Sequence, residues 1–93
     1  IRVNKTITGI VEDMTGNPFK YRAWVYVERN GKSVKGTNGI VGTKTNPQGR
    51  YTLTTVNEGD LLTIDIGTRK YRSLVTKDNM YNIINGNEIT GSH

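Results

Sequence analysis

Apolar and polar side chains alternate along much of this chain. Ile7, Gly9 and Val11 alternate with Thr6, Thr8 and Ile10, and Ala23, Val25 and Val27 with Trp24, Tyr26 and Glu28. Tyr51 and Leu53 alternate with Thr52 and Thr54, and Leu62, Ile64 and Ile66 with Thr63, Asp65 and Gly67. A period of two marks a strand with one face in a core and one in water. Weaker strands fit residues 40–45, 71–76 and 80–84. Turn signals separate them: Asn30-Gly31, Asn38-Gly39, Asn57-Glu58-Gly59-Asp60 and Lys77-Asp78-Asn79. No stretch shows a capped period of 3.6. The pattern predicts an all-β domain, a seven-stranded antiparallel β-sandwich spanning residues 1–84. Residues 85–93 offer little to pack and are expected to form a flexible tail. Gly91-Ser92-His93 has the composition of a tag remnant, so His93 is left out of the functional argument.

Two passages share one turn chemistry: Asp13-Met14-Thr15-Gly16-Asn17-Pro18 and Asn46-Pro47-Gln48-Gly49-Arg50-Tyr51. In each, an Asp or Asn side chain can accept hydrogen bonds from N–H groups just ahead. A glycine then closes the turn without a Cβ penalty, and Pro47 presets φ in the second. These turns fix the register of the strands around them, so that Val11, Val25, Val27, Tyr51 and Leu53 are expected to meet in one core.

Composition fits this picture. The chain has 93 residues, 33% hydrophobic, with 11 glycines. That is enough for one domain with a modest core. There is no cysteine, hence no disulfide framework and no thiolate metal site. No apolar run approaches the roughly 20 residues of a membrane-spanning helix. The net charge is +5, which reads as solvated Lys and Arg on strand faces.

The order of pieces resembles the carboxypeptidase regulatory-like domain. The first block is Ile7-Thr8-Gly9-Ile10-Val11-Glu12-Asp13, then Gly16-Asn17-Pro18-Phe19, then Ala23-Trp24-Val25-Tyr26-Val27. The second runs Gly42-Thr43-Lys44-Thr45-Asn46-Pro47-Gln48-Gly49-Arg50-Tyr51-Thr52-Leu53, followed by Glu58-Gly59-Asp60-Leu61-Leu62. Asn46 replaces the family's usual Asp, Thr68 stands where an aromatic is common, and Lys20-Tyr21-Arg22 replaces small residues. The resemblance implies a transthyretin-like (prealbumin-like) sandwich. Such domains accompany metallocarboxypeptidases and bacterial surface proteins, and they form the N-terminal part of TonB-dependent outer-membrane receptors of the Bacteroidetes type.

The residues do not suggest an enzyme. Ser33, Ser73 and Ser92 lie outside any nucleophile elbow, and the carboxylates fall in turns or on polar strand positions. Asp65, between Ile64 and Ile66, points outward by alternation. The Asp13 turn offers too few oxygens for calcium, and no phosphate loop is present, so neither metal nor cofactor is expected. Two surface features remain. Arg69, Lys70 and Arg72 form a basic cluster expected on an edge strand, where cations discourage edge-to-edge pairing. Alternation places Tyr71 on the face opposite Lys70 and Arg72, which argues against nucleic acid. Ile10, Trp24 and Tyr26 are outward-facing apolar residues, expected to form one patch on one sheet face for contact with other protein domains or subunits.

These readings point to a non-enzymatic structural or protein-interaction module. The resemblance implies an extracytoplasmic bacterial protein, at the periplasm or cell surface of a Gram-negative cell. The alternatives are a phage virion or decoration subunit of the same fold, and a carbohydrate-binding module with Trp24 and Tyr26 as a stacking platform for a glycan.

Overall fold

A computed structural model describes residues 5–36 and 39–91. These residues contain strands and turns and no helix. The strands are β1 (Lys5–Ile10), β2 (Trp24–Arg29), β3 (Lys32–Ser33), β4 (Lys35–Gly36), β5 (Gly39–Ile40), β6 (Gly42–Lys44), β7 (Arg50–Val56), β8 (Leu61–Asp65), β9 (Lys70–Leu74), β10 (Met80–Ile84) and β11 (Asn87–Gly91). Sheet I has the order β11-β10-β1-β7. Sheet II has the order β3-β2-β8-β9, with β6 also pairing β2. The short strands β4 and β5 form a separate ribbon.

Alternation correctly marks the inward faces. Ile7, Tyr51, Leu53, Val56, Tyr81 and Ile83 of sheet I are buried in one cluster with Val25, Val27, Leu62, Ile64 and Tyr71 of sheet II. Val11, Ala23 and Val75 complete it. The result is a sandwich-like arrangement of two sheets about a common core. Buried tyrosines tie the layers at their ends: Tyr71 Oη donates to the Gly86 carbonyl at 3.1 Å. The Thr76 N–H donates to Tyr81 Oη at 2.9 Å.

Both Asx turns form as their sequence requires. Asp13 Oδ1 accepts from the N–H groups of Thr15 and Asn17 and from the Thr15 hydroxyl at 2.6 Å. Asn46 Oδ1 accepts from the N–H groups of Gln48 and Arg50. Gly16 and Gly49 adopt φ of 85° and 75°. The turns abut. Val11 donates its N–H to the Gly49 carbonyl, and Phe19 donates to the Val11 carbonyl. A Cβ on Gly49 would lie 2.4 Å from that Val11 oxygen.

Three features differ from the sequence expectation. β1 pairs β10 in parallel, so the sheets are not wholly antiparallel. Residues 87–91, expected in a flexible tail, form β11 and pair with β10 over five positions. An Asn85-Gly86 hairpin turn, with φ of 53° and 78°, returns the chain. The strands also outnumber the seven expected, because short ribbons flank β2 and follow β3. Asn38 of the expected Asn38-Gly39 turn, and Ser92-His93, lie outside the described residues.

Candidate interaction face

Trp24 and Tyr26 lie two residues apart on β2, between inward-facing Val25 and its neighbours, and both are half-buried. Their rings stack with centroids 6.0 Å apart and planes inclined by 30°. The indole is held by what lies beside it. Gly42 of β6 is registered opposite Tyr26. A Cβ there would come within 2.8 and 2.9 Å of Trp24 Cη2 and Cζ2. The absent side chain at Gly42 is therefore the space the six-membered ring uses.

Strand register sets the neighbours of this pair. On the outer face of sheet II, one cross-strand row reads Lys44, Trp24, Asp65, Lys70. The next reads Gly42, Tyr26, Thr63, Arg72. Glu28 follows Tyr26 along β2 on the same side. Asp65 uses Oδ1 to accept from the Gly67 N–H at 2.8 Å, closing the turn into β9. Thr63 is completely buried although it lies between two core positions and so points outward. Its hydroxyl has no hydrogen-bond partner among the described residues.

The basic cluster lies on an edge strand, since β9 ends sheet II. Lys70 and Arg72 are exposed and share the outer face with the aromatic pair, while Tyr71 turns into the core. Arg69 is drawn aside, with its guanidinium carbon 4.7 Å from the Tyr71 ring centroid. Ile10 does not belong with Trp24 and Tyr26. It lies on β1 of sheet I, a different sheet. There it lines a shallow groove of about 280 Å³ with Thr8, Arg50, Thr52, Met80 and Asn82. Alternation tells which residues point away from the core, but not which of two sheets they point away from. Tyr21 is 70% exposed and meets Phe19 edge-on.

One charged site escaped the sequence reading. Asp60, expected in a turn, is only 1% exposed. Its two oxygens accept from Arg29 Nε at 2.7 Å and Nη2 at 2.8 Å. Oδ2 also accepts from the Asn57 N–H. The hydrogen bond to Asp60 raises the Arg29 pKa further above its already high ordinary value. The pairing spans the end of β2 and the turn before β8, and no local pattern announces it.

No three or more His, Cys, Asp or Glu side chains among the described residues are grouped to hold a metal ion. Nor is any helix among them long and apolar enough to cross a membrane. No family model matches the chain, and comparisons with curated proteins and with solved structures find no significant match.

Proposed function

We propose that this chain is a non-enzymatic interaction module that works through the outer face of sheet II. The observation that carries the reading is the stacked pair of Trp24 and Tyr26, left half-open on that face and seated over Gly42. Trp and Tyr are favoured at contact hot spots because they offer large, stiff surfaces with few rotamers to freeze. The resemblance to the carboxypeptidase regulatory-like domain supports a transthyretin-like variant of the sandwich. It also supports a setting in an extracytoplasmic bacterial protein, as an accessory or N-terminal unit of a receptor or surface protein. Its motifs have physical sense in this fold: Gly9 lies beneath the Tyr51 ring, and the Asx turns carry the chain into and out of the core strands.

The test is Trp24→Ser, with folding stability and association measured on the same protein. A contact residue gives a stability change within about 0.5 kcal/mol, with association lost in light scattering or pull-down by the parent protein. A stability loss of about 3 kcal/mol or more would mean that the indole is a core element and that the face is not an interaction surface.

A further inference from the structure

The fold brings together two features that lie far apart in the sequence. The aromatic pair on β2 and the basic residues of β9 occupy one face of one sheet, in common cross-strand rows. We propose that this face binds a saccharide, with sugar rings stacked on Trp24 and Tyr26 and their hydroxyl groups held by the flanking side chains. The inference rests on the reading of the face as a contact surface and names its occupant.

The chemistry of the rows argues for that occupant. An aromatic ring presents a negative π face. The C–H-rich face of a pyranose is its complement, apolar and weakly positive. Around the rings, the donors are Lys44 on one side and Lys70 and Arg72 on the other. Asp65 supplies an acceptor in the Trp24 row, with one oxygen committed to Gly67. A sugar hydroxyl both donates and accepts, so it can use cations and a carboxylate together.

A single-stranded nucleic acid also stacks on aromatics between cations. Here, however, Asp65 stands directly beside Trp24, and Glu28 follows Tyr26. A phosphate chain crossing these rings would meet both carboxylates. Nucleic-acid affinity comes chiefly from neutralised phosphates, and this face mixes its charges.

The chain has a single tryptophan, so its fluorescence reports on this face alone. The full chain is titrated with oligosaccharides of glucose, of N-acetylglucosamine and of galacturonic acid, and with oligothymidylate. The expected result is a saturable change with at least one saccharide class. Tyr26→Ala weakens it by about tenfold, the factor for losing one ring contact. Asp65→Asn, which keeps an oxygen for the Gly67 N–H, also weakens it. A response to oligothymidylate alone, strengthened by Asp65→Asn, would overturn the proposal in favour of nucleic acid. No response to any saccharide would overturn it too. If Trp24→Ser then folds with parental stability and loses protein association, the interaction reading survives without the saccharide. If Trp24→Ser collapses in stability, both fall.

Discussion

Tyr51 and Tyr81 are joined by a hydrogen bond that displaces a rung of the sheet. The Tyr51 hydroxyl donates to the Tyr81 carbonyl at 2.7 Å. Thr8 donates to the Asn79 carbonyl, and Glu12 to the Ile83 carbonyl. The rung between them would run from the Ile10 N–H to the Tyr81 carbonyl. Instead Ile10 donates to Asn82 Oδ1 at 2.9 Å. The side chains of Tyr51 and Asn82 thus stand in for one backbone hydrogen bond. Burial, and the nearby Tyr81 phenol, push the Tyr51 pKa far above its ordinary value, which keeps the hydroxyl a donor.

This exchange predicts a coupled pair. Tyr51→Phe and Asn82→Ala each strand a backbone group and should cost about 1–3 kcal/mol. Together they free both halves of the missing rung, which can then close. The double variant should be more stable than the sum of the singles by about 1 kcal/mol. Strict additivity in urea unfolding would refute the exchange.

Gly9 allows this geometry. A Cβ there would lie 2.0 Å from the Tyr81 oxygen and 2.5 Å from Tyr51 Cε2. Both neighbours are buried, so Gly9→Ala should destabilise by about 3 kcal/mol or more. A midpoint close to that of the parent protein would show that the carbonyl has room to turn away.

Thr55 predicts a gain instead. Register between β1 and β7 slips between Lys5 and Ile7, where β7 carries an extra residue. Thr55 there has φ of 65°, a costly conformation for a β-branched side chain. Thr55→Gly removes that strain and should raise stability by about 1 kcal/mol, after the added backbone entropy of glycine. Denaturant titration measures it, and a lower midpoint would contradict the strain.

Arg29 and Asp60 predict an asymmetric loss. Arg29→Ala leaves a carboxylate of 1% exposure without its guanidinium and should cost about 3 kcal/mol or more. Replacing both partners with apolar residues should recover much of that loss. Equal costs for the single and the double variant would remove the buried-charge explanation.

Asp13 gives the pH signature. The Thr15 hydroxyl holds its carboxyl below the ordinary range. Desolvation opposes this, and the N–H groups of Thr15 and Asn17 and the Lys20 charge add to the lowering. A depressed folded-state pKa means that the turn contributes its stability above the unfolded carboxylate pKa. That contribution is lost as pH falls through the lower folded value. Carboxyl NMR titration should show Thr15→Ala moving Asp13 upward, and an unmoved midpoint would exclude the hydroxyl as the cause.

Much of this fold is legible in the sequence, for local reasons. Alternation marked Ile7, Val25, Val27, Leu53 and Ile64 as core because a strand repeats every two residues whatever its partner. Asn30-Gly31 announced a hairpin because both residues accept positive φ. Asn85-Gly86 carries the same signal, but the polar run after it concealed β11. Partner choice has no such local code. The parallel pairing of β1 with β10, the separation of Ile10 from Trp24, and the Arg29–Asp60 pair all depend on which segments meet. The aromatic and basic residues were each visible in sequence, whereas their shared face emerged only from the register of β2, β8 and β9.

The parallel pairing of β1 with β10 also sets an order of assembly. The strands of sheet II all lie between residues 24 and 74, with β7 of sheet I inserted between β6 and β8. All of them are therefore made before β10. Sheet I is different: β1 is synthesised first and must wait for β10, some 72 residues later in the Ile10–Asn82 contact. Until then β1 has only β7 beside it, and its other edge is open. So long a wait slows folding and leaves a strand edge exposed on the nascent chain. Truncation before β10 should therefore yield a chain that forms sheet II yet aggregates through β1.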